Sequence, residues 1–210
     1  MRTYLFDFDG TLVDSMPTYG SVMKRILDEN GVSYGDDIIK IITPLGFRGT
    51  AEYFVDTMGV KKSVESLMST MVSYCTEEYT YNIGEKPHVI QTLKELKSRG
   101  DSLNVLTASP HTSLDPCLKR LGIYDLFDNV WSCDDFGTTK ADTEIYRMAA
   151  QRVGKSVGDV IFLDDNLGAD KTAKAAGMTV YGVFDPSSEE YAEEIKKVCD
   201  RYIIDFSELI

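Results

Sequence analysis

The chain has 210 residues, 43% hydrophobic and 27% charged, and its 22 Lys+Arg against 34 Asp+Glu give a net charge of −12. A single folded unit of this length buries roughly 70% of its extended-chain surface, and the apolar fraction, with 12 Tyr and 9 Phe, excludes a disordered chain. The acidic balance argues against a nucleic-acid partner and requires any anionic substrate to be met by local positive charge or a metal.

The N-terminal MRTYLFDFDG shows neither a basic n-region nor an apolar h-region. The first strand is predicted over Thr3–Phe8, and after it the strand pattern stops. Helical spacing follows at Pro17–Glu29, Gly35–Ile42, Arg48–Met58 and Ser63–Tyr81, an all-helical block that reads as an insertion or lid. We therefore expect a core of residues 1–14 and 87–210 and a helical cap of residues 15–86. Helix Pro87–Arg99 stops at Gly100. Strand Leu103–Thr107, helix Ser113–Leu121, a weaker strand near Asn129–Ser132 and helix Thr143–Val153 come next. Strand Val160–Leu163, helix Lys171–Ala176, strand Thr179–Phe184 and a solvated helix face at Glu189–Lys197 complete the series. Alternation of this kind predicts an α/β fold, a Rossmann-like three-layer α/β/α core around a parallel sheet.

No apolar run is long enough to cross a bilayer, so no membrane partner is expected. The four cysteines are widely spaced and read as reduced thiols. A cytoplasmic monomer or weak dimer is the expectation.

Polar residues close three of the strands: Asp7, Thr107 and the pair Asp164-Asp165. A parallel sheet presents its ligand site at this edge. Asp7, Asp9, Asp164 and Asp165 gathered there would repel one another unless protonated or neutralised, and an all-carboxylate set suits a hard cation such as Mg²⁺. One carboxylate facing a phosphate can serve as nucleophile and a second as acid and base. Thr107 and Lys140 can offer a hydrogen bond and a charge to phosphoryl oxygens. Taken singly, each has a plainer reading: turn formers for Asp7 and Asp9, a strand end for Thr107, a solvated loop charge for Lys140.

The motif Asp7-Phe8-Asp9-Gly10-Thr11-Leu12-Val13-Asp14-Ser15 resembles the first motif of the haloacid dehalogenase superfamily. Leu106-Thr107-Ala108-Ser109 resembles the second, Lys140 the third and Phe162–Met178 the fourth, in order along essentially the whole chain. The layout is similar to the phosphoglycolate phosphatase and β-phosphoglucomutase branch. The resemblance implies Asp7 as nucleophile and Asp9 as acid and base. Mg²⁺ would sit on the Asp7 carboxylate, the Asp9 carbonyl and Asp164 or Asp165. Thr107, Ala108 and Lys140 would bind the phosphate of a small phosphorylated metabolite. Two departures stand out: Lys140 lacks the prolines that often follow it, and Ala169 occupies a position often held by Asp or Asn. Asp170, one place later, is open between metal ligand and helix-terminal charge.

Arg48, between Gly46 and Gly49, is a candidate for holding the substrate's far end, with an exposed helix-start charge as the plainer alternative. Asp14 and Ser15 read as caps of the first cap helix, and His111 as incidental. The implied activity is a Mg²⁺-dependent phosphatase acting through an aspartyl-phosphate. A phosphomutase of the β-phosphoglucomutase type is the rival, and a catalytically silent phosphate-binding module is the alternative from another class. Isomerised sugar phosphate without released phosphate would mark the mutase; absence of metal-dependent turnover would mark the binding module.

Overall fold

A computed structural model of the chain describes residues 1–210, apart from the side chain of Pro44. Two compact units emerge, Met1–Met16 with Ile83–Ile210, and Pro17–Asn82.

The first unit is built on a six-stranded parallel sheet: β1 Thr3–Phe6, β2 Ser102–Thr107, β3 Asn129–Ser132, β4 Val160–Asp164, β5 Thr179–Val183 and β6 Arg201–Ile203. Their order is β3-β2-β1-β4-β5-β6. Strands covered on both faces tolerate continuous apolar runs, which is why TYLF and VIFLD read without alternation. The two faces still receive alternate side chains. Leu5, Leu106, Phe162 and Val180 point into one layer with Ile145, Tyr146 and Ala149 of one helix and Ala173 of the next. Tyr4 and Phe6 turn the other way, and Phe6 meets the rings of Phe127 and Phe206. Phe6 lies opposite Val105 on one side and Leu163 on the other. β1 is therefore the switch strand from which chain order runs outward in both directions, leaving a crevice at its carboxyl end.

The helices, in chain order, are α1 Met16–Glu29, α2 Ile38–Ile42, α3 Gly46–Asp56, α4 Val64–Tyr81, α5 Val89–Ser98, α6 His111–Arg120, α7 Thr143–Arg152, α8 Leu167–Ala176 and α9 Ala192–Val198. The second unit contains α2, α3, α4 and all of α1 after Met16, and it has its own apolar core. Val22, Met23, Ile26 and Leu27 recur at helical spacing on α1 and bury with Ala51, Phe54, Leu67 and Met71. Ser63 caps α4 by accepting from the Ser66 N–H at 3.2 Å.

Residues 83–86 belong with the sheet because they pair with the segment after β1. The Asp14 N–H donates to the Gly84 carbonyl and the Lys86 N–H to the Leu12 carbonyl, each at 3.0 Å, flanking a Val13–Glu85 bridge.

Several elements differ from expectation. β6 was not foreseen: its three residues, Arg-Tyr-Ile, carry no extended apolar run, and it forms by pairing Tyr181–Val183 with Arg201–Ile203. Helix α8 starts four residues before the predicted Lys171, because the Asn166 side chain accepts from the Gly168 and Ala169 N–H groups at 2.9 and 3.2 Å and caps it there. α2 begins only at Ile38 rather than Gly35. All four cysteines are free thiols, and no helix among the described residues is long and apolar enough to cross a membrane.

Candidate active site

β1 delivers Asp7 to the crevice, and the sheet holds the residue there: the Asp7 N–H donates to the Leu163 carbonyl at 2.8 Å. The chain then turns back, with the Leu12 and Val13 N–H groups bonding the Phe8 carbonyl at 2.9 and 3.1 Å. Only glycine fits the tip of this turn. Gly10 has φ +72°, and a Cβ there would stand 2.6–2.7 Å from all three carboxyl atoms of Asp165. The neighbouring Thr11 hydroxyl donates to Asp165 Oδ1 at 3.0 Å. The Asp165 carboxyl is thus seated on the turn that follows β1.

Asp164 ends β4 and accepts the Asn166 N–H at 2.8 Å. Asp7, Asp164 and Asp165, all buried, each offer an oxygen within 4.8 Å of the others. Lys140 inserts its ammonium between two of them, pairing with Asp7 and bonding Asp164 Oδ2 at 2.8 Å. The Lys140 loop is tied down by Tyr146, whose phenol proton is shared between the carbonyls of Lys140 at 3.0 Å and Ala169 at 3.1 Å.

Asp9 carries a hydroxyl on each oxygen. Ser15 donates to Oδ1 at 2.7 Å and Ser109 to Oδ2 at 2.5 Å. Ser15, directly before the first helix, is buried against Asp9, a contact that the cap reading does not foresee. Ser109 was missed as a partner of Asp9, because a hundred residues of sequence separate the two and only the β1–β2 pairing brings them together. Thr107, buried at the end of β2, accepts the Ser109 N–H at 3.0 Å.

The cavity at this edge measures about 450 Å³ and is lined by Asp7, Asp9, Thr107, Ala108, Lys140, Asp164 and Asp165. Arg48, the remaining candidate, is an exposed residue of α3 beside Glu52 at 3.6 Å. Asp170 does not join the three-carboxylate cluster. It is wholly buried on α8, where its Oδ2 accepts the Cys199 thiol at 3.3 Å. His111 has two partners, Asp115 at 2.8 Å and Asp135 at 2.9 Å, one on each ring nitrogen.

Electrostatics show that the cluster is short of positive charge. Burial pushes the Asp165 carboxyl up to about 7, reinforced by Asp164. Burial, again followed by Asp164, takes Asp170 to about 8. Burial drives Asp7 upward too, with Lys140 pulling the other way and Asp164 adding to the rise. Burial alone would lower Lys140, but Asp164 and Asp7 outweigh it and hold the ammonium firmly charged. One ammonium among several close carboxylates leaves room for a cation, and an all-oxygen carboxylate set fits a small, hard divalent ion. Gly10 leaves the Asp165 carboxyl the space that any side chain there would take.

Residues 4–183 match the model of the haloacid dehalogenase-like hydrolase family. A phosphorylated carbohydrates phosphatase of Thermotoga maritima is 26% identical over 184 residues, covering 87% of this chain and 85% of that protein. A phosphoglycolate phosphatase of Salmonella paratyphi A is 26% identical over 204 residues, covering 87% and 81%. Among solved structures, a candidate β-phosphoglucomutase from Thermotoga maritima superposes with a TM-score of 0.86 at 24% identity, over 100% of this chain and 96% of that one. A family hydrolase from Deinococcus radiodurans R1 with bound phosphate and sodium gives 0.80 at 21%, over 100% and 93%. These two establish likeness of fold. With the sheet order, the carboxylate cluster and a match over most of its length, the chain belongs to the haloacid dehalogenase-like hydrolases, as an enzyme whose curated relatives named here are phosphatases.

Proposed function

We propose that the protein is a Mg²⁺-dependent phosphatase that hydrolyses a small phosphomonoester through a phosphorylated Asp7. The observation that carries this reading is the buried Asp7–Lys140–Asp164 arrangement beside Asp165, with Asp9 on the same cavity wall. The names of the curated relatives support the substrate class: phosphorylated carbohydrates and phosphoglycolate are small phosphate esters.

In the proposed cycle an Asp7 carboxylate oxygen attacks phosphorus and the bond from phosphorus to the ester oxygen breaks. Asp9 gives its proton to the departing alcohol. The Asp9 carboxylate then takes a proton from water, whose oxygen attacks the phosphorus of the acyl phosphate. Cleavage of the acyl phosphate releases inorganic phosphate and restores Asp7. Ser15 and Ser109 hold the Asp9 carboxyl in the orientation these transfers need. Lys140 and the Thr107–Ala108 segment bind the phosphoryl oxygens, the ammonium offsetting charge that builds up as the group transfers. Mg²⁺ held by the carboxylates of Asp7 and Asp164 or Asp165 and by the Asp9 carbonyl would supply further positive charge to those oxygens. Arg48 selects the remote end of the substrate in this reading, so Arg48→Ala should raise KM with little change in kcat.

The test is release of inorganic phosphate from p-nitrophenyl phosphate and from a panel of small phosphorylated metabolites, with Mg²⁺ and with chelator. Metal-dependent turnover that Asp7→Asn abolishes is expected. An active Asp7→Asn protein overturns the assignment.

A further inference from the structure

Lys86 lies three residues after the boundary at which the chain rejoins the sheet unit, and nothing in its sequence setting marks it. Its side chain is only 11% exposed, yet its ammonium meets three acceptors from two distant segments. These are the Gly10 carbonyl at 2.6 Å, the Phe184 carbonyl at 2.6 Å and Asp185 Oδ2 at 2.8 Å, the last on a carboxylate that is 2% exposed. An ammonium has three N–H bonds, and all three are taken, which is what offsets the cost of burying the charge. No donor remains for a substrate. The group therefore acts on the protein itself.

The point of action is the turn after β1. Gly10 has its carbonyl on Lys86, and a Cβ on it would stand 2.6–2.7 Å from the Asp165 carboxyl atoms. Thr11 donates to Asp165 Oδ1 at 3.0 Å, and Asp9 is the residue immediately before. We propose that Lys86 is a positioning residue for the phosphatase site: by clamping the Gly10 carbonyl to the Phe184–Asp185 segment, it fixes the turn that seats Asp165 and carries Asp9. The inference rests on the phosphatase reading for its catalytic consequence, and on the Gly10–Asp165 contact alone for its consequence at the metal.

The experiment compares Lys86→Met, Lys86→Arg and Asp185→Asn. Two quantities are read: kcat and KM on p-nitrophenyl phosphate, and the Mg²⁺ concentration giving half-maximal thermal stabilisation. Arginine keeps the charge, but its donors lie in a planar fork and cannot converge from one nitrogen. Both Lys86 variants should therefore lose about 10–100-fold in kcat and raise the Mg²⁺ midpoint about tenfold, the range for removing a group that orients a ligating residue. KM should stay within about threefold, since Lys86 touches no substrate. If Lys86→Arg keeps wild-type values, charge alone suffices and the clamp is overturned. If the Lys86 variants are less stable but unchanged in kcat and Mg²⁺ midpoint, Lys86 is a structural anchor only. Should the Lys86 variants fail to fold, Asp185→Asn removes the charge that anchors the ammonium against both carbonyls and should show the same two shifts at about threefold; unchanged values there also overturn the clamp. A wild-type protein that turns over no phosphate ester, but whose Mg²⁺ midpoint still moves in Lys86→Met, refutes the phosphatase reading and leaves the clamp standing.

Discussion

The carboxyl edge of the sheet and the helical unit spend burial differently. At the edge, Asp7, Thr107, Asp164 and Asp165 are buried, and a half-buried Asp9 stands beside them with a serine hydroxyl on each carboxylate oxygen. In residues 17–82, Thr50 is the one buried polar residue among those described, and the interior is otherwise Val, Met, Ile, Leu, Ala and Phe. Buried charge is costly and survives where partners saturate it; an apolar interior costs nothing of that kind and holds shape. The difference teaches where chemistry resides: the sheet edge carries strained electrostatics and the helical unit carries packing.

The strongest way to break this contrast is at Asp7. Asp7→Asn should lower kcat roughly 10⁴-fold or more while circular dichroism stays unchanged, as expected for loss of a nucleophile. Lys140→Ala comes next, with a fall of about 10²–10³-fold, the scale of removing one preorganised charge from a transferring group; steady-state kinetics read it directly. An effect near unity at either position would mean that the buried network is structural.

In the helical unit the expected effects fall on stability. Phe54→Ala, in a fully buried position, should cost about 3–5 kcal/mol by urea unfolding. A cost under about 1 kcal/mol would show a loosely packed interior.

A smaller effect concerns pH. Hydrogen bonds donated to Asp115 and then Asp135 raise His111 above its ordinary 6.5, so the imidazolium is favoured in the folded state. That stabilisation is fully present below the unfolded value and is lost as pH rises through the folded one. The melting-temperature advantage of wild type over His111→Gln should be larger at about pH 5.5 than at about pH 8.5; a difference independent of pH would refute the charged bridge. Smallest is Glu52→Ala, which removes the exposed Arg48 pair and should change stability by under about 0.5 kcal/mol in the same urea assay.

Much of the site was legible because its residues sit at positions whose physics is local. Asp7, Thr107 and the Asp164–Asp165 pair each end a short apolar strand, and parallel strands align those ends. Gly10 announced its turn. The Ser15 contact was not legible, because a serine just before a helix reads as a cap and nothing local shows that an Asp six residues earlier takes its hydroxyl proton. Asp170 stays open between two readings in the sequence; it stands in the first turn of α8, and only the packing shows that it is buried against Cys199.

By itself the sequence determined the alternation of strands and helices, the acidic ends of the strands and the helical block after the first strand, because each depends on periodicity or on neighbours in the chain. Only the tertiary structure decided that Lys140 lies between Asp7 and Asp164, that Ser109 reaches Asp9, that Lys86 holds Gly10 and that Arg201–Ile203 becomes a strand. Each of those joins segments brought together by strand pairing or packing, and no rule of local spacing encodes a contact whose partner is chosen by where the rest of the chain has folded.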